Sequence, residues 1–88
     1  MKRKEFTQSD RVLKYMQDFG SITWLDAYRE FGVARLSAVI FNLRHLDEIE
    51  IDSIVEGSKN RYGEPISYNR YYLVGSEFEK QLKEEGKI

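Results

Sequence analysis

Apolar residues recur three and four places apart through the first half of the chain, and the period then shortens toward two. Val12, Leu13, Met16 and Phe19 form the first stripe. It follows Thr7-Gln8-Ser9-Asp10, where a hydroxyl and an acid three places apart can each satisfy the other's backbone N–H, a capping box. This predicts a helix from near Thr7 to Phe19, stopped by Gly20, which adopts a left-handed cap without strain. Thr23-Trp24-Leu25-Asp26 repeats the device, with Ile22 placed as a hydrophobic staple. It predicts a second helix with Leu25, Tyr28 and Phe31 as its apolar face and Gly32 as its stop. A third helix is predicted over 34–46. At ~100° per residue, Leu36, Val39, Ile40, Leu43 and Leu46 fall on one arc. Arg35, Ser37, Ala38, Phe41, Asn42 and His45 fall on the opposite side, with Arg44 at the flank.

Beyond this the alternation Ile49-Glu50-Ile51-Asp52 opens a strand that runs to Val55. Residues 56–65 hold Gly57, Gly63 and the single proline, Pro65, and read as a loop. Ile66 to Leu73 reads as the return strand. Ser76-Glu77-Phe78-Glu79 is a third capping box, opening a short helix closed by Gly86. The order helix, helix, helix, strand, loop, strand, helix is that of a helix-turn-helix followed by a hairpin wing. The expected fold is α+β, a winged helix-turn-helix: a three-helix bundle with a β-hairpin wing and a short C-terminal helix. Its parts would be a flexible basic arm over 1–6 (Lys2, Arg3 and Lys4), the winged domain over 7–75 and the last helix over 76–88.

Composition narrows the function. With 88 residues, 41% hydrophobic and twelve aromatics, the chain has room for one small core. It has no cysteine, so disulfides and thiolate metal sites are excluded, and the lone His45 does not build a zinc site without several carboxylates. No cofactor and no metal is expected. No apolar run approaches the ~18 residues that span a bilayer, so no membrane partner and a cytoplasmic location are expected. There is no phosphate-cradling glycine loop and no triad around His45, and the acids sit at helix starts or on the strand, where capping and solubility explain them. The chain is not expected to be an enzyme. The net charge of −1 hides a strong segregation. Residues 1–45 carry eight basic against five acidic side chains, and residues 57–75 carry three against one, while 46–56 carry five acids and no base. Docking to phosphates responds to such local fields rather than to the total.

The outward face of the third helix has the chemistry of base recognition. The major groove admits one α-helix. Arg35 can fork to guanine, Asn42 can pair with adenine, and Ser37 can serve base or phosphate. Ala38 and Phe41 can meet a thymine methyl, His45 shares this face, and Arg44, at the flank, suits packing or phosphate. In the loop, Lys59, Asn60 and Arg61 can follow a phosphate backbone or enter a minor groove. The plain alternative for both groups is a solvated surface. Phe41 is unusual on an outward face. Cover by the wing or the terminal segment, a dimer or partner surface, and a base contact are all open to it. Tyr62, Tyr68, Tyr71 and Tyr72 crowd the hairpin, where tyrosines can stack single-stranded bases but more often complete a small core.

The stretch Asp10-Arg11-Val12-Leu13, Gly20-Ser21-Ile22-Thr23, Ala27, Phe31-Gly32-Val33, Arg35-Leu36, Ile40 and Leu43-Arg44, continued by Tyr62-Gly63 and Tyr71-Tyr72-Leu73, resembles the helix-turn-helix domains common in phages and prophages. The resemblance implies a winged-helix fold and DNA-linked roles, with Arg35 and Arg44 at positions often basic there. It departs at Val39 and Phe41, which make the outward face greasier, and in the five-residue step from Ala27 to Gly32. The expected function is double-stranded DNA binding, as a transcriptional regulator or recombination accessory factor of phage or prophage type. The competing reading is a protein-interaction module, for example a phage protein that inhibits a host protein, or a homodimer formed through Phe41.

Overall fold

Thr7 and Thr23 each start a helix by the reciprocal exchange that their sequences anticipate. Thr7 Oγ1 accepts from the Asp10 N–H at 3.2 Å while Asp10 Oδ2 accepts from the Thr7 N–H at 3.0 Å. Thr23 and Asp26 repeat this at 3.3 and 3.0 Å. The computed structural model describes residues 7–88; the basic segment 1–6 lies outside the described residues. In chain order the elements are α1 (Gln8–Phe19), β1 (Ser21–Thr23), α2 (Trp24–Phe31), α3 (Leu36–His45), β2 (Ile51–Lys59), β3 (Pro65–Leu73) and α4 (Glu77–Glu84).

β1 is a strand that the helical patterning did not predict. It pairs antiparallel with β3, Ser21 opposite Tyr72 and Thr23 opposite Arg70, so the sheet has three strands in the order β1-β3-β2. The long hairpin is thereby anchored to the helices through its central strand. The predicted loop 56–65 is also shorter than expected. Pairing continues to Lys59 opposite Pro65, which leaves Asn60 to Glu64 as the turn. Gly57 and Ser58 are therefore strand residues, and Pro65 sits at the first position of its strand, where a missing N–H is tolerated.

The core is built from Val12 and Met16 of α1, Ile22 of β1, Ala27 of α2, Val33, the inner face of α3 and Ile51 of β2. Leu36, Val39, Ile40 and Leu43 all lie within it, so Val39 adds nothing to the outward surface. Three apolar expectations are corrected. Phe19 is 70% exposed, one turn beyond Met16, and rests on the Tyr15 ring at 4.6 Å rather than in the core. Leu25 and Tyr28 are exposed, because α2 meets the core through Ala27, whose small side chain has no exposed surface, and through partly buried Phe31. Leu46 is 75% exposed: α3 ends at His45, Glu48 takes φ 55°, and the chain reverses so that Ile49 instead packs on the core. The Ile49 N–H donates to the Leu43 carbonyl at 3.0 Å, which fixes that reversal.

α4 closes the far side of the sheet. Its cap is half of the predicted box: Ser76 Oγ accepts from the Glu79 N–H, but Glu79 Oε1 accepts from the Gly75 N–H at 3.0 Å, one residue earlier than anticipated. Phe78 meets buried Tyr72 with ring centroids 5.6 Å apart. The same Phe78 side chain lies 3.3 Å from where a Cβ on Gly20 would stand, and Gly20 has φ 93°. Glycine at this junction therefore answers two demands, the turn out of α1 and the close approach of Phe78.

Candidate nucleic-acid interface

The turn between α2 and α3 is set by Gly32, whose φ of 68° is left-handed and whose N–H reaches the Tyr28 carbonyl at 2.9 Å. Val33 then dives into the core, and its N–H bonds the Ala27 carbonyl at 3.2 Å. This brings the chain to Arg35, the N-cap of α3, whose first helical residue, Leu36, comes two residues later than the start predicted for the helix. Arg35 makes no side-chain capping bond, and its guanidinium is exposed at the leading end of α3.

α3 presents Ser37, Ala38, Phe41, Asn42 and His45 to solvent, as its projection predicts. Phe41 is not covered by the wing. It is 58% exposed and stacks on His45, one turn along, with centroids 4.2 Å apart and planes at 36°. Arg44 has a structural contact: its Nε donates to the Ile51 carbonyl at 3.0 Å, and its guanidinium carbon stands 6.0 Å from the centre of the Tyr71 ring. That contact ties the last turn of α3 to the root of the hairpin.

Between the leading end of α3 and the hairpin lies an open groove of about 390 Å³ lined by Trp24, Arg35, Ser37, Ser67, Tyr68 and Asn69, among others. Four of these were not singled out as site residues in the sequence. Trp24, the first residue of α2, is 53% exposed. Ser67, Tyr68 and Asn69 come from β3. The register offered a signal for two of them, since Ser67, Asn69 and core-packed Tyr71 alternate along one strand, on one face.

The three wing residues stand apart from α3. Lys59 ends β2 rather than lying in a loop, Arg61 is in the turn, and Asn60 organises that turn. Asn60 Oδ1 accepts from the N–H groups of Tyr62 and Glu64, and its Nδ2 donates to Glu64 Oε1 at 2.9 Å. The tyrosines divide by depth. Tyr72 is buried, Tyr71 is half-buried against the core, Tyr68 is half-buried at the groove, and Tyr62 is 80% exposed, so it is no core residue. Burial raises the pKa of the Tyr72 hydroxyl above its ordinary value, with Asp52 and Glu79 adding to the effect.

No acidic side chain lines the groove among the described residues. Glu56 pairs with Arg70 at 2.9 Å, and Arg70 also donates to Ser21 Oγ at 3.0 Å. Both side chains belong to the face that carries Tyr72, opposite the one with Ser67, Asn69 and Tyr71. Glu48 and Glu50 line a separate depression with Leu13, Gln17 and Val74. Arg35, Lys59 and Arg61 have no such carboxylate partner within 4 Å among the described residues.

A second and third helix joined through a left-handed glycine, with a hairpin projecting beside the third, define a winged helix-turn-helix. A family model described as a winged helix-turn-helix domain matches residues 7–75, most of the chain, and the chain belongs to that family. Membership suggests DNA binding. No curated protein and no solved structure matches the chain. Among the described residues, no helix is long and apolar enough to cross a membrane.

Proposed function

We propose that the chain binds double-stranded DNA with α3 in the major groove and the wing on the neighbouring backbone. It would act by occupying its site, without chemistry of its own, as a transcriptional regulator or recombination accessory factor in the phage or prophage setting its sequence resembles. The observation that carries this reading is the unspent outer face of α3. Arg35, Ser37 and Asn42 are exposed there, and Arg35 and Ser37 open into a groove continuous with β3. Arg35 would read a base edge, and Ser37, Ala38, Asn42 and His45 would complete the contact. Arg44 would offer its remaining donors to phosphate. Asn60 contributes by shaping the turn that carries Arg61. A mobility-shift series on random duplex at two salt concentrations tests the reading, with affinity expected to fall steeply as salt rises. Salt-insensitive binding, or none to any duplex, overturns it.

The wing cations sit on backbone that is close to no base-reading element, so their contacts are predicted to be with phosphate. Lys59→Ala combined with Arg61→Ala should weaken binding on every sequence and reduce the salt slope by roughly two units. An unchanged slope in a titration of log affinity against log salt would mean that the wing points away from the DNA.

Phe41 favours a second reading, contact with another copy of the chain. Leaving a Phe exposed forgoes part of the ~1.5–3 kcal/mol that burial contributes, and this ring, 58% exposed, stacks on His45 at the surface of α3. Sedimentation of the original and Phe41→Ser proteins decides. A dimer that becomes a stable monomer on substitution supports an interface, and a monomer in both with unchanged stability leaves Phe41 on the DNA surface.

A further inference from the structure

β3 is flanked on both sides only as far as Arg70, where β1 ends opposite it at Thr23. Beyond that point five pairs, Val55 with Asn69 through Lys59 with Pro65, form a two-stranded ribbon. At ~3.3 Å per residue the ribbon carries its turn roughly 15–17 Å past the three-stranded part of the sheet. The molecule measures 52 × 32 × 21 Å along its principal axes. An unsupported ribbon end is a weak element, but this one is braced. Besides the side-chain bonds of Asn60, the Asn60 N–H donates to the Glu64 carbonyl and the Gly63 N–H to the Asn60 carbonyl, both at 3.0 Å. Gly63 supplies the φ of 78° that the turn requires. What this tip holds out is Tyr62, at 80% the most exposed large apolar side chain among the described residues. Arg61 immediately precedes it and Lys59 ends the strand before the turn, and Asn60 holds the nearby Glu64 carboxylate.

We propose that Tyr62 is a wedge: it enters the minor groove beside the α3 site, partly unstacks one base step and bends the duplex. The inference rests on the DNA-binding reading above and adds a mechanical activity to it. With α3 in the major groove, the adjoining minor groove lies about half a helical turn away, ~17 Å, and the projecting ribbon is the element that reaches toward it. The two cations hold the tip against the phosphates that border the groove, and the ring replaces lost base stacking with its own. Apolar side chains inserted at such steps kink DNA by ~20–90° toward the major groove. A braced turn delivers the ring in one orientation, whereas a loose loop would lose that advantage to conformational entropy. Pyrimidine–purine steps unstack most readily and are the steps this wedge selects.

Energy transfer between dyes on the two ends of a ~30-bp duplex carrying a site selected from a random pool measures the bend, at saturating protein. The original chain is expected to shorten the end-to-end distance. Tyr62→Ala restores most of it, while affinity falls by roughly 5- to 20-fold, the lower part of the range for one aromatic–base stack. Tyr62→Leu keeps the bend, since an aliphatic wedge suffices. Asn60→Ala leaves Tyr62 in place but frees the turn, and it loses the bend as well. Exchanging the pyrimidine–purine step under the wing for an A-tract weakens the original chain more than Tyr62→Ala. A Tyr62→Ala chain that bends DNA fully, or an original chain that binds without bending, overturns the wedge and leaves DNA binding standing. Failure of the original chain to bind any duplex overturns both.

Discussion

Arg35→Ala is expected to weaken binding to a preferred duplex by ~1–3 kcal/mol, roughly 5- to 150-fold, while binding to random sequence changes much less. Arg35 is the N-cap of α3 yet makes no capping bond, so truncation should remove little helix stability. Its guanidinium stands at the leading end of the helix, where side chains reach base edges, and it shares the groove with Ser37 and Asn69. A fork of two donors is what a guanine edge accepts, and Lys at this position should recover charge without recovering discrimination. Competition titrations with preferred and scrambled duplexes separate the cases. Equal losses on both would reassign Arg35 to phosphate.

A larger effect is expected inside α3. Leu43→Ala should cost ~2–5 kcal/mol, because it removes a nearly fully buried side chain and leaves a cavity in the core cluster that relaxes only in part. A domain of this length has only ~4–13 kcal/mol of net stability, so much of the population can unfold. Leu46→Ala, three residues on, should change stability by no more than ~0.5 kcal/mol, since Leu46 is 75% exposed. Urea denaturation of both variants, monitored through Trp24 fluorescence and circular dichroism, gives the comparison. Similar losses at the two positions would mean that α3 continues past His45 and that Leu46 joins the core.

Binding should report the same division. Leu43→Ala is expected to lose apparent affinity through the unfolded fraction, so saturating DNA recovers part of its stability by mass action. Arg35→Ala should instead keep its denaturation midpoint and lose discrimination. The pair thus distinguishes a residue that holds α3 in place from one that uses the face α3 presents.

Local chemistry in the sequence determined the helices, the caps, the outward face of α3 and the existence of a hairpin. Thr–Asp pairs three apart and glycines at the stops act within one turn of backbone, so no distant contact is needed to make them legible. The same holds for Ser37, Ala38, Phe41, Asn42 and His45, which helical geometry alone puts opposite Leu36, Ile40 and Leu43. Tertiary structure decided the rest. β1 is only three residues long and exists because Tyr72 and Arg70, far along the chain, offer it a partner. Leu25, Tyr28 and Phe19 lost their expected places because close approach through Ala27 and Met16 sets how α1 and α2 meet. Leu46 gave way to Ile49 once a glutamate, not a glycine, took the left-handed reversal. The groove that joins Trp24, Arg35 and Asn69 is assembled from three elements separated in sequence. Periodicity reports which face a residue occupies within its own element, whereas only packing decides which faces meet and how far a paired ribbon extends.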